Sequence, residues 1–214
     1  MRLRTFTILV FMPAVMPALA QSDLVAGARS YEVCAGCHGF LGEGNEIIGA
    51  PRLAGIETWY LERQIGNFKD GRRGHVEGDA DGRRMALMAQ AVDNERELGD
   101  LMAWIGSLPS PADSAPVTSQ QALTAEIARG QELYALCSAC HGAEGQGNEA
   151  LGAPALVPLD DWYFTEQLQL YAQGLRGTHP ADTYGAQMRA LAASFDTEEE
   201  RQDLASYVMA LDPG

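Results

Sequence analysis

Apolar positions recur at helical spacing at the end of each half of the chain. Between Asn94 and Ser107 they fall at Leu98, Leu101, Met102 and Ile105, the i, i+3, i+4, i+7 stripe of an amphipathic helix. Near the C-terminus Leu204 and Val208 carry the corresponding stripe. Thr197 and Glu200 sit ahead of it with the spacing of a capping box, in which side chain and backbone satisfy each other's free N–H groups. Two more helices are predicted in the first half, one from Asp23 to Cys34 and a short one from about Glu57 to Lys69. Gly-rich stretches at 39–49 and 71–82 separate them and read as loops. No segment alternates with a period of two, so the pattern predicts an all-α protein.

The first 20 residues have a different pattern. Arg2 and Arg4 precede an apolar run from Thr5 that ends in Ala18-Leu19-Ala20, the order of a cleaved export signal. The run falls short of the roughly 20 residues of a spanning helix, and Pro13 and Pro17 interrupt it. The expectation is a signal peptide over 1–20, a mature chain from Gln21, and no transmembrane helix in that mature chain.

The remainder is one unit written twice. A shift of 103 residues, with no insertion, lays Gly130 on Gly27, Tyr134 on Tyr31, Gly147-Asn148 on Gly44-Asn45 and Gly152-Ala153-Pro154 on Gly49-Ala50-Pro51. It also lays Trp162-Tyr163 on Trp59-Tyr60, Gln167 on Gln64 and Met188 on Met85. A repeat of that length is a small domain rather than a solenoid unit. The Pro- and Ser-rich segment 109–116 reads as a linker, which gives domains at 21–108 and 117–214.

The same shift relates Cys34-Ala-Gly-Cys37-His38 to Cys137-Ser-Ala-Cys140-His141. C-x-x-C-H is the attachment run of a covalent c-type haem. The spacing presents both thiols to one edge of the porphyrin, and the adjacent imidazole reaches the iron. All four cysteines are used, which leaves no thiol for a disulfide or a nucleophile. Two covalently bound haem c groups are therefore expected. They also supply the apolar centre that a unit of this size otherwise lacks.

Each iron needs a ligand on its other face, and His/Met ligation raises the potential of an electron carrier. Met85 and Met188 are the only methionines at equivalent positions. Met88 is the rival in the first copy, but Leu191 stands in its place in the second; Met102 and Met209 fall in helices, where packing is the commoner role. His75 and His179 have no equivalents and read as solvated loop residues, which argues against bis-His ligation. Pro51 and Pro154 lie at equal distances after the two motifs. Their carbonyls could accept the Nδ1–H of His38 and His141 and so fix each imidazole, or they could simply shape a turn. Gly27 with Tyr31 and Trp104, and Gly130 with Tyr134 and Tyr207, read as sites of close helix crossing. Trp59, Tyr60, Trp162 and Tyr163 are expected to wall the haem or reach its propionates.

Charge narrows the partners. The formal charge is −14, and −16 without Arg2 and Arg4. That balance disfavours nucleic acid and anionic membrane and favours basic proteins. From Gln21 to Pro111 the net charge is −5, and from Ala112 to Gly214 it is −11. The first copy alone gathers Arg72, Arg73, Arg83 and Arg84 around its Met segment, which reads as an asymmetry between the two halves.

Two C-x-x-C-H domains, each with a downstream Met, joined by a short linker behind an export signal, closely resemble the cytochrome c4 family. The Gly-Ala-Pro-Arg-Leu-Ala-Gly run at 49–55 and the following Trp59-Tyr60 share the likeness. The resemblance implies an all-α protein of two tandem class I cytochrome c domains facing each other across a pseudo-twofold axis. It implies His38 and Met85 on one iron and His141 and Met188 on the other, with the rings held by Cys34, Cys37, Cys137 and Cys140. It also favours Pro51 and Pro154 as the histidine acceptors. The second copy departs after its proline, where Ala155 replaces Arg52, so propionate contacts are expected to differ there. The implied function is that of a periplasmic electron carrier rather than an enzyme, loosely held at the membrane through its partners. A quinol-oxidising complex would be the donor and a terminal oxidase, of cbb3 type, the acceptor. The alternative is a di-haem subunit of a periplasmic dehydrogenase such as flavocytochrome c sulfide dehydrogenase. A di-haem peroxidase needs an open iron and a di-haem thiosulfate dehydrogenase a ligating Cys outside the motifs; this chain has a Met for each iron and no spare Cys.

Overall fold

The structure, a computed structural model, describes residues 22–110, 125–157 and 159–211. The expected signal peptide and all of the expected linker beyond Ser110 lie outside the described residues. Among the described residues there are eight α-helices: α1 (Leu24–His38), α2 (Thr58–Lys69), α3 (Ala80–Met88) and α4 (Glu95–Gly106), then α5 (Ala125–His141), α6 (Asp161–Ala172), α7 (Thr183–Ala192) and α8 (Glu198–Met209). Among the described residues the only β-pairings are two isolated bridges, Asn45 with Ala50 and Asn148 with Ala153. No helix among them is long and apolar enough to cross a membrane.

Local chemistry fixes the helix starts. Asp23 caps α1 through the amides of Val25 and Ala26. Asn94 caps α4, and the predicted Thr197–Glu200 capping box opens α8. The helices α3 and α7, which carry Met85 and Met188, go beyond the elements that the hydrophobic pattern predicts. Asp79 and Asp182 start them by accepting the amides of Gly82 (2.7 Å) and Gly185 (2.9 Å). Both aspartates are buried. The cap signal is present in the sequence, but the run of glycines before it obscures it.

Two equivalent crossings hold the halves. The helix pairs α1–α4 and α5–α8 pack face to face, with Gly27 and Gly130 at the points of contact. A Cβ on Gly27 would lie 2.0 Å from the Asp100 carbonyl oxygen and 2.9 Å from Trp104 Cβ; on Gly130 it would lie 2.0 Å from the Asp203 carbonyl oxygen and 2.8 Å from Tyr207 Cβ. Tyr31 and Tyr134 then cross to the loop after each motif, donating to the Gly39 (2.8 Å) and Gly142 (2.7 Å) carbonyls. A Gly27→Ala change forces backbone apart, and we expect it to cost about 3 kcal/mol, the upper end for overpacking. Gly99→Ala on α4, where an added methyl meets nothing within 4 Å, should be neutral or stabilise by up to ~1 kcal/mol. Denaturant unfolding of the haem-loaded protein reads both. Two apolar cores result, one per half, and Leu159 packs against both.

Candidate haem sites and the layer between them

In each half, the segment after α1 or α5 turns back under the motif histidine. Gly44 N–H donates to the His38 carbonyl (2.8 Å) and Gly147 N–H to that of His141 (2.8 Å). Gly44 has φ of 83°, and a Cβ there would sit 2.5 Å from the Arg52 amide nitrogen, so glycine is required on both counts. Asn45 and Ala50 then exchange backbone hydrogen bonds of 2.6 and 3.0 Å, and Asn148 and Ala153 exchange bonds of 2.7 and 3.0 Å. These bridges set the following proline. The carbonyl oxygens of Pro51 and Pro154 each lie 2.7 Å from Nδ1 of His38 and His141. Burial pulls both imidazoles below the ordinary histidine range, with the proline carbonyls opposing. Each ring is thus neutral near pH 7 with Nδ1 engaged, which leaves Nε2 as the nitrogen available to a metal.

Each histidine lines a large cleft. The first, about 1370 Å³ including its open mouth, is also lined by Cys34, Cys37, Pro51 and Met85. The second, about 1130 Å³, is lined by Cys140, Pro154 and Met188. Cys137 belongs to the adjoining core of the second half. Burial pushes the Cys137 thiol up to about 11 and the Cys34 thiol up as well, the opposite of a reactive dithiol. Met88 lines the first cleft too, one turn beyond Met85 on α3. Neither His75 nor His179 lines either cleft.

The two clefts share a wall. Ile56, Tyr60, Gln64, Leu159, Tyr163 and Gln167 line both, and they form three pairs under the 103-residue shift. Two buried arginines lock this wall. Arg73 donates to Gln64 Oε1 (2.8 Å) in its own half and to Tyr163 Oη (3.0 Å) and Gln167 Oε1 (3.0 Å) in the other. Arg176 mirrors it, donating to Gln167 Oε1 (2.6 Å) in its own half and to Tyr60 Oη (3.1 Å) and Gln64 Oε1 (3.0 Å) in the other. In the sequence Arg73 reads as part of a basic asymmetry, and Arg176 does not stand out. The shift that pairs the methionines pairs these arginines equally well, and that is the signal that could have found them.

Farther out the halves are joined by matching backbone contacts. Arg52 N–H donates to Asp160 (3.3 Å), and Ala155 N–H donates to Glu57 (2.9 Å). Only the first contact carries an ion pair, Arg52 with Asp160 at 2.8 Å, which gives the expected departure at Ala155 a structural form. His75 and His179, expected to be solvated loop residues, meet edge to face across the halves. Their ring centroids are 5.7 Å apart, a contact that their non-equivalent positions conceal. Tyr60 and Tyr163 line the clefts as expected, whereas Trp59 and Trp162 line neither. Trp59 instead stacks on Arg63, 4.9 Å from the guanidinium carbon to the ring centroid.

This donor set suits haem. Arg73 and Arg176 are in no ion pair among the described residues, and buried Arg73 Nε has no partner at all. Two buried cations in no ion pair, each lining one cleft, suit two propionate-bearing rings.

Similarity to known proteins agrees with the geometry. The cytochrome c family model matches residues 24–109 and again 127–212. The chain is 31% identical to cytochrome c4 of Azotobacter vinelandii over 202 residues, 91% of each chain. It is 32% identical over 179 residues to a thiosulfate dehydrogenase electron acceptor of Stutzerimonas stutzeri, covering 81% of this chain and 76% of that one. Its fold superposes on crystalline reduced cytochrome c4 of Pseudomonas stutzeri with a TM-score of 0.66 and 26% identity, covering 90% of this chain and 100% of that chain. Two clefts, each with a motif histidine and a cysteine pair on its α-helix, and a family match to each half lead to one conclusion: the chain belongs to the cytochrome c family, as a di-haem electron-transfer protein of the cytochrome c4 kind carrying two covalently bound haem c groups.

Proposed function

We propose that the chain is an exported carrier in a periplasmic respiratory route, taking electrons from a quinol-oxidising complex and passing them to a terminal oxidase of cbb3 type. The observation behind this is the pairing, in each cleft, of an imidazole fixed through Nδ1 with a methionine. Cys34 and Cys37 hold the first ring and Cys137 and Cys140 the second. His38 and Met85 would hold one iron, His141 and Met188 the other. Pro51 and Pro154 fix the imidazoles through the Nδ1 contacts. Bound there, each haem would supply one-electron chemistry between ferrous and ferric iron. The protein would clamp the imidazoles through Pro51 and Pro154, offer Arg73 and Arg176 to the propionates, and set a histidine and a methionine in each cleft so that no substrate need bind the metal.

Anaerobic titration of the haem-loaded protein should take up two electrons per chain. The reduced protein should be reoxidised by membranes containing a cbb3-type oxidase and should turn over neither hydrogen peroxide nor thiosulfate alone. Turnover of either, or a five-coordinate ferric centre, overturns the reading. The Stutzerimonas relative favours a second reading, in which the donor is a thiosulfate-oxidising dehydrogenase. Reduction by such an enzyme faster than by a quinol-oxidising complex would select it.

A further inference from the structure

We infer that Glu166 ties electron uptake in the first cleft to uptake of a proton, and that the second cleft has no such group; this rests on the haem placement proposed above. Arg63 on α2 and Glu166 on α6 are equivalent under the 103-residue shift, and each lines the cleft of the opposite half. The crossing therefore gives the second cleft a cation and the first a carboxylate. Arg63 is held in place: it donates to the Gly152 carbonyl (2.7 Å) and lies over the rings of Trp59, Tyr60 and Tyr184.

Three carboxylates line the first cleft, and the other two are tied down. Asp79 accepts the Gly82 amide at the start of α3 (2.7 Å), and Asp81 pairs with Arg84 (2.7 Å). The remaining cations of the cleft are engaged as well: Arg52 pairs with Asp160, and Arg73 bonds to Gln64, Tyr163 and Gln167. Glu166 is half-buried, is in no ion pair among the described residues, and accepts a hydrogen bond from Gln167 Nε2 (3.2 Å). Burial holds its carboxyl above the usual carboxylate range; Asp81 and Asp79 push the same way, while Gln167 and Arg73 oppose them. An electron added in the same cleft acts in the direction of those aspartates, because it disfavours a second negative charge nearby. The Glu166 carboxylate thus takes one proton from solvent as one electron from the donor turns ferric iron ferrous in the first cleft. It releases that proton when the electron leaves, so the charge of the cleft is the same in both states. The second cleft offers no equivalent. Its lining carboxylate is Asp182, which caps α7 through the Gly185 amide, and Tyr184 stands where the first half has Asp81.

The test is a redox titration of the haem-loaded protein repeated across a range of pH. Protonation favours the reduced state, so the potential of one step should fall as pH rises between the Glu166 pKa of the oxidised form and that of the reduced form. At full linkage the fall is about 59 mV for each tenfold drop in proton concentration. The other step should not move with pH. The moving step should be the one that Met85→Ala displaces and Met188→Ala does not. Glu166→Gln should abolish the slope and hold that potential at its low-pH value. Asp81→Asn removes a charge that raises the Glu166 carboxyl, so it should keep the slope and carry it to lower pH. A reduced-minus-oxidised infrared difference spectrum reads the proton directly: the parent should gain a protonated-carboxyl band that Glu166→Gln lacks. Two steps that both ignore pH, a slope that survives Glu166→Gln, or a slope on the step that Met188→Ala displaces overturns the inference. Fewer than two one-electron steps overturns the haem placement itself.

Discussion

Met188→Ala is expected to remove half of the methionine-to-iron charge-transfer absorption of the ferric protein, and Met85→Ala the other half. Each methionine lines one cleft only, so each change acts on one haem. The potential of the altered site should fall well below that of its neighbour, since axial ligands command about 0.8 V of range in haem proteins. Met88→Ala is the decisive control. Met85 and Met88 stand three residues apart on α3 and both line the first cleft, so geometry alone leaves two sulfurs within reach. The repeat register chooses Met85, because Leu191 occupies the second copy's equivalent of Met88. Met88→Ala should therefore keep the full absorption. Loss of half the band in Met88→Ala, with Met85→Ala unaffected, would transfer the ligand role by one helical turn.

Replacing Arg73 or Arg176 with methionine should have the second-largest effect, and it should reach both haems. Each guanidinium bonds to glutamine and tyrosine side chains that line both clefts. Losing one leaves the buried amide oxygens of Gln64 and Gln167 each short of a charged donor, at about 1.5–3 kcal/mol per hydrogen bond. It also removes a positive charge that favours the reduced state. Both midpoint potentials should fall, by about 60 mV if the charge is worth ~1.4 kcal/mol at a given haem. Lysine at either position keeps the charge but cannot make the forked contacts. It should restore much of the potential and little of the stability. A redox titration combined with thermal unfolding separates the two. Unchanged potentials in both methionine variants would show that these cations do not act on the haems.

The cysteines, histidines and methionines expected to hold the haems are legible in the sequence because the motif is contiguous and repeated. C-x-x-C-H is a contiguous run, and the 103-residue shift selects Met85 and Met188 without any coordinates. The close approaches at Gly27 and Gly130 are legible for the same reason: a helical glycine with an aromatic one turn on marks a face that another helix can approach closely. The shared wall is not legible. Arg73 looks like surface basicity when read beside Arg72, Arg83 and Arg84, and only the folded halves show it buried against the opposite Tyr163 and Gln167. The helices carrying the methionines escape the pattern because the glycines before them suggest a continuous loop, while their caps, Asp79 and Asp182, are single residues. His75 and His179 meet only because the halves come together, at positions that no internal alignment equates.

The crossed bonds between the halves have an implication for ancestry. Tyr163, Gln167 and Arg176 present to the first half what Tyr60, Gln64 and Arg73 present to the second. A surface whose donors and acceptors interchange in this way is complementary to itself, the requirement for an isologous pairing of identical subunits. A single-copy precursor bearing that surface could have dimerised before the gene duplicated. Fusion would then have freed the two outer faces to diverge while the inner ones stayed bound to mirror each other.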